Sequence, residues 1–233
     1  MWSQKTKAWG QWFWREWAKP CLIVLVVVST LRSAIADWND VPTGSMKPTI
    51  LEGDRIFVNK LAFDLKVPFT TWRIASWSAP HRGDVIVLFS PHDETRLVKR
   101  VVGVPGDRVQ MIDGQLFVNG KAAEYEPLDQ DTIDQIDGRE QPNYRFASEE
   151  VEGRAHAVML SKFESLARSF DEMTIPEGKY FVMGDNRDHS FDSRFFGLVD
   201  MRRIVGRATG VAGSVDPEHS YRPRWDRFFR PLN

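Results

Sequence analysis

The chain of 233 residues contains a single cysteine, Cys21. An internal disulfide and a cysteine zinc site are therefore both excluded, and with no second thiol nothing follows about the redox state of the compartment. Net charge is -1, from 31 basic and 32 acidic residues, so no overall basicity draws the chain to nucleic acid. It has no internal repeat, no low-complexity tract and only one apolar run approaching membrane length. Its histidines are His81, His92, His156, His189 and His219. None has a recognisable triad setting, although Asp188 and Asp192 lie close to His189. No metal or cofactor is expected.

The apolar run is Cys21 to Val28, continued by Ser29 to Ala36 with one charge at Arg32. The 12 residues between Lys19 and Arg32 span about 18 Å as helix, against roughly 30 Å of hydrocarbon. Trp17 and Trp38, 21 residues apart, give about 31 Å, and tryptophans favour the two interfaces. Arg32 would then snorkel to the far headgroups. Lys5, Lys7, Arg15 and Lys19 outweigh Glu16 before the run, which places the N-terminus in the cytoplasm and the remainder across the membrane. Trp2, Trp9, Trp12, Trp14 and Trp17 suit a leader lying in the inner interface. The expected organisation is an interfacial segment at 1–17, an anchor at 18–37 and an extracytoplasmic domain at 38–233. A rival reading takes Ser33-Ala34-Ile35-Ala36 before Asp37 as a cleavage site, making 1–36 a removable export signal. Arg32 and the long aromatic leader favour the retained anchor.

Beyond the anchor, short apolar runs punctuated by Gly, Pro and Asp predict a mainly β domain. Strands are expected at 55–60, 84–89, 156–160, 179–183 and 204–208. Val109 to Val118 around Asp113-Gly114 is a hairpin, closed by Asn119-Gly120. The acidic stretch within about 121–155 is expected to be an insertion with little regular structure. Phe69, Trp72, Ile74 and Trp77 form either a loop packed on the core or an apolar rim dipping into the bilayer.

Three segments carry chemistry. Ser45 lies in Val41-Pro42-Thr43-Gly44-Ser45-Met46-Lys47-Pro48-Thr49-Ile50, where two prolines stiffen the backbone and Gly44 permits close approach. That arrangement presents a hydroxyl to an extended peptide, although a lone Gly-Ser is more ordinarily a turn. A serine nucleophile needs a base. Lys99 and Arg100 alternate across a predicted strand, so one of them leans toward the core. Arginine cannot be deprotonated, whereas a buried lysine loses its proton readily. If either is a base, it is Lys99; its ordinary role would be a solvated edge charge. The third segment, Gly184 to Gly197, packs Asp185, Asn186, Arg187, Asp188, His189, Ser190, Asp192 and Arg194 directly after a strand. Such a loop can be tied by ion pairs, can be a plain turn, or can offer oxygen donors to a cation, which Arg187 and Arg194 argue against.

Taken in order, these segments, with Gly53 to Lys60 and Arg82 to Val87, resemble the bacterial type I signal peptidases. The resemblance covers roughly 20–120 and 175–210. It implies a signal-peptidase-like β-sheet catalytic domain on one transmembrane helix, in the bacterial plasma membrane with its catalytic domain periplasmic. It implies a serine endopeptidase with Ser45 as nucleophile and Lys99 as general base, and cleavage of preprotein signal peptides after Ala-x-Ala-type sites. Ser190 would hydrogen-bond the lysine, and Thr43 would join the Ser45 N–H in the oxyanion hole, where the family more often has serine. Asp192 and Arg194 would form a bracing ion pair, and Asp185 would be structural. Val41, Pro42, Met46, Ile50, Leu97 and Val98 would line shallow pockets for a substrate added as a strand. Expected partners are preproteins, the bilayer and the export machinery. Other readings are a relative dedicated to one secretion or conjugation substrate, and a β module that binds extended peptides without cutting them.

Overall fold

The Asp113-Gly114 and Asn119-Gly120 pairs both adopt the left-handed backbone that tight hairpins demand, with φ of 48° and 83° at the first and 53° and 77° at the second. They fold Arg108–Ile112, Gln115–Val118 and Lys121–Ala122 into consecutive antiparallel strands, with Phe170–Thr174 added at the far edge. The computed structural model describes the whole chain except 1–8, 10–11, 68–69, 71, 164–167 and 233. Trp2, Lys5, Lys7 and Phe69, and the side chain of Arg32, lie outside what is described.

The principal sheet runs in the order Ala36–Asp40, Asp54–Asn59, Ile204–Asp216, Val85–Phe89, Arg96–Gly103, Lys179–Met183, Val199–Asp200. Every pairing along it is antiparallel. Val85–Phe89 is the strand that separates two cores. Val85 and Val87 pack with Val41, Met46, Ile50, Ile56 and Val58 on one face, whereas Ile86 and Leu88 pack with Phe63, Val101 and Val182 on the other. A run apolar on both faces is what a central strand needs, each buried side chain contributing about 1.5–3 kcal/mol. The mainly β expectation is met, and the predicted strands at 55–60, 84–89, 156–160, 179–183 and 204–208 all form, the last extending to Asp216.

One expectation is corrected. The acidic stretch is not irregular: Glu124–Pro127, Tyr144–Val151 and Arg154–Ser161 form a three-stranded antiparallel sheet. Its strands hide an alternation under the surface charge. Ala147, Glu149 and Val151 are buried while Ser148 is half-buried and Glu150 faces out, so a charged residue in the inward row masks the pattern. The expected anchor overlaps a helix and the strand that follows it. The helix Lys19–Ala34 has 16 residues, and among the described residues no helix is long and apolar enough to cross a membrane. Residues 36 and 37, expected within it, already belong to a strand. Trp38 sits opposite Phe57 in that strand rather than at a helix end; Asp37, Asn39 and Asp40 around it are poor helix formers.

Candidate active site

Three stretches distant in sequence meet at the end of the principal sheet. Leaving the first strand, the chain stays extended at Thr43 (φ -130°, ψ 150°), makes one 3-10 turn over Gly44–Met46, and is extended again at Lys47 before Pro48. Hydrogen bonds from Val41 N to Asp54 O (2.9 Å) and from Ile50 N to Met46 O (2.9 Å) pin the two ends. Met46 and Ile50 are buried beneath it. The turn therefore holds Ser45 half-buried on a fixed backbone.

Lys99 comes from the strand Arg96–Gly103, where it pairs with Ile86. Its side chain is 2% exposed, and its Nζ donates to Ser45 Oγ at 2.7 Å and to the Val98 carbonyl at 3.0 Å. Burial pushes its pKa down to about 8; Asp192 and Asp185 pull the other way and Arg194 assists the lowering. At that value about one lysine in ten is the free amine at pH 7. Neither carboxylate is free to clasp it. Asp185 is held by Arg100 and Asp192 by Arg194, each pair at 2.8 Å.

Arg100 is also buried, contrary to the expectation that only one of the adjacent cations leans inward. It donates through Nε and Nη2 to Asp185, both at 2.8 Å. Asp185 also accepts from Thr49 Oγ1 at 2.5 Å. Burial pushes the Asp185 carboxyl up, but the Arg100 guanidinium outweighs it and holds the pKa below the usual range.

The loop after Lys179–Met183 docks on the nucleophile turn. Asn186 N donates to the Ser45 carbonyl and Asn186 Nδ2 to the Gly44 carbonyl, both at 3.1 Å. Gly184 makes the close approach possible, since a Cβ there would overlap the Ser45 carbonyl oxygen and Ser190 Oγ. Asp192 caps the short helix Ser193–Phe196, accepts from Gly184 N at 3.0 Å, and pairs bidentately with Arg194. Burial raises the Asp192 pKa, yet Arg194 and the Gly184 N–H hold it below the ordinary value.

The remaining candidates divide. Thr43 is exposed and its hydroxyl does not cap the turn. Ser190 is buried against Gly184 and near Asp192, but its Oγ makes no hydrogen bond of normal geometry. The bond to Lys99 that the resemblance implied is not made here. Val41, Met46, Ile50 and Val98 share one apolar cluster, and Pro42 is exposed at its edge. Leu97 packs into the opposite cluster with Ile86 and Leu88. His189 meets Tyr144 Oη at 3.0 Å rather than Ser45, and Asp188 accepts from Ser161 N at 2.6 Å.

Asn186 and Arg100 were not singled out as site residues in the sequence. The Lys-Arg dipeptide and the Gly-Asp-Asn sequence were visible, but nothing in either told which backbone or carboxylate they reach.

The profile of the family described as signal peptidase, peptidase S26, matches residues 14–212. A signal peptidase I from Pseudomonas fluorescens is 34% identical over 231 residues, covering 91% of this chain and 77% of that protein. One from Pseudomonas aeruginosa is 35% identical over 228 residues with the same coverage. A crystal structure of a signal peptidase I from Enterococcus faecalis V583 aligns at 30% identity over 57% of this chain and 98% of that one, with a TM-score of 0.36, too loose a superposition to bear on the fold. The family match and the Pseudomonas relatives favour a peptidase over a non-cutting peptide-binding module. The chain belongs to the signal peptidase family, peptidase S26, and is a serine protease of the signal peptidase I kind.

Proposed function

We propose that this protein cuts signal peptides from exported preproteins after small residues, with Ser45 as nucleophile and Lys99 as general base. The observation that carries this reading is the 2.7 Å contact between Lys99 Nζ and Ser45 Oγ at a buried amine whose pKa is lowered by desolvation. A neutral amine takes the serine proton as Oγ attacks the scissile carbonyl. The Ser45 N–H and the Thr43 hydroxyl receive the developing oxyanion. The ammonium then gives its proton to the departing amine, and the regained free amine activates the water that releases the acyl group. Asp185 with Arg100, and Asp192 with Arg194, hold the loop beside the lysine in register.

Two open strand edges support substrate binding by strand addition. Residues 96–99 pair with Val85–Phe89 on one side only, because Lys179–Met183 reaches just the far end of that strand. Ala36–Asp40 is itself an edge strand. An extended peptide between these edges would meet Val41, Pro42, Met46 and Val98 above Ile50, a wall of bulky groups that leaves room for alanine-sized side chains. Leu97 would contribute its main-chain edge.

A membrane tether fits the exposed apolar helix Lys19–Ala34 and the exposed Trp12, Trp14 and Trp17 before it. Trp72, Ile74 and Trp77 are exposed, at 76%, 62% and 55%. They are not packed on the core, which favours the bilayer rim. The catalytic domain would then face the periplasm, with the N-terminus in the cytoplasm. The test is cleavage of a synthetic preprotein in detergent: Ser45→Ala and Lys99→Ala should each abolish it. Full activity in either variant would refute the dyad.

A further inference from the structure

The acidic stretch touches the catalytic segments at three levels. Met159 N donates to the Asp185 carbonyl at 2.9 Å, and Met159 bridges Asn186 as a parallel partner. Lys47, two residues after the nucleophile, pairs with Glu140 at 2.8 Å and Glu52 at 3.2 Å. The third contact is buried. Glu149, wholly inaccessible on the strand Tyr144–Val151, receives Arg187 Nη1 at 2.5 Å and Nη2 at 2.6 Å, and Tyr125 Oη at 2.6 Å. His156 Nε2 lies 3.3 Å from it.

From Arg187 the connection runs directly to the lysine. The Arg187 carbonyl accepts from Arg194 Nη2, and the same guanidinium grips both oxygens of Asp192 at 2.8 Å. Asp192 is one of the two carboxylates whose charge is felt at Lys99.

We infer that Glu149 is a positioning residue for peptide cleavage: it fixes Arg187, whose carbonyl anchors Arg194, which in turn neutralises Asp192 beside the Lys99 amine. The acidic stretch is thus part of the catalytic apparatus, acting from a separate sheet. This rests on the reading of Lys99 as base. Glu149 is chemically suited to the task, because a buried guanidinium left without its carboxylate must move or find another. The groups facing Lys99 are Ser45, the Val98 carbonyl, Asp192 with Arg194, and Asp185 with Arg100. Those facing Glu149 are Arg187, Tyr125 and His156, and burial holds the imidazole below its ordinary pKa.

If Arg187 is released, Arg194 loses an anchor and Asp192 is less neutralised. The unbalanced carboxylate then favours the ammonium form of Lys99. Glu149→Gln should therefore move the acid limb of the kcat/KM profile upward by about one pH unit, lowering the rate about tenfold at pH 7 and little on the alkaline plateau. Because Glu149→Gln strands a buried arginine, the paired change Glu149→Met with Arg187→Met is measured beside it. An apolar replacement of a buried pair often leaves stability intact. The same upward shift is expected in that folded double variant. An unmoved limb in whichever of the two variants folds, judged by circular dichroism and Tm, overturns the proposal. Lys99→Ala in the same assay separates the two claims: if it still cleaves, the base assignment is wrong, and if it is dead while the limb stays put, only the Glu149 role is lost.

Discussion

Lys99 and Arg100 are neighbours on one strand and both are buried, yet they do opposite things. Arg100 meets the Asp185 carboxylate through two hydrogen bonds and stays charged. Lys99 meets a hydroxyl and a carbonyl and is pushed toward neutrality. Burial alone therefore does not decide the role of a cation; its own chemistry and its partner do. A guanidinium held by a carboxylate is a brace, whereas an amine buried without one is available as a base. Arg187 with Glu149 and Arg194 with Asp192 are further braces of the first kind, close to Lys99.

The sharpest way to break that contrast is to exchange the chemistry. Lys99→Arg keeps a cation in place but cannot yield a free amine, so cleavage should fall by on the order of 10²–10⁴ or more, as for a lost general base. Activity near wild type would show that position 99 serves only as a charge. On the brace side, Asp185→Asn leaves Arg100 buried and uncompensated. Unfolding in denaturant should show a loss of about 3–5 kcal/mol. The sign with pH follows, since the Asp185 pKa is lowered in the fold. Its contribution is complete at pH values above the unfolded carboxylate pKa and disappears as pH falls through the lowered native value.

Thr43→Val removes the proposed side-chain donor of the oxyanion hole while keeping the branched shape. kcat should drop by about 10²–10³, and Thr43→Ser should restore it; an unaffected Thr43→Val enzyme would leave the hole to backbone alone. The smallest effect is expected from His189→Ala. That ring contacts Tyr144 rather than the nucleophile, and activity should stay within about twofold, as befits an exposed side chain outside the proton path.

The parts of the site that were legible in the sequence are those whose chemistry is local. A Gly-Ser turn between prolines, a lysine on an apolar strand and a dense Asp/Arg loop each announce themselves over a few residues. The β framework was legible for the same reason, through period-two runs and the Asp113-Gly114 turn. What stayed hidden depends on who meets whom. Glu149 reads as one more charge in an acidic run, and only the pairing of its strand shows that it points inward at Arg187. Arg100 reads only as the second cation of an alternating pair until the Asp185 carboxylate, 85 positions along the chain, is placed against it. The family resemblance implies Leu97 in the substrate wall, but the sheet turns it into the opposite core.

The measurement closest to the central claim is the pH dependence of kcat/KM for preprotein cleavage, which reports the essential groups of the free enzyme. A free amine at position 99 predicts an acid limb with an apparent pKa near the value of about 8 set by its burial, and no measurable rate at any pH in Lys99→Ala. A limb in the ordinary histidine range, surviving in Lys99→Ala and abolished by His189→Ala, would contradict it.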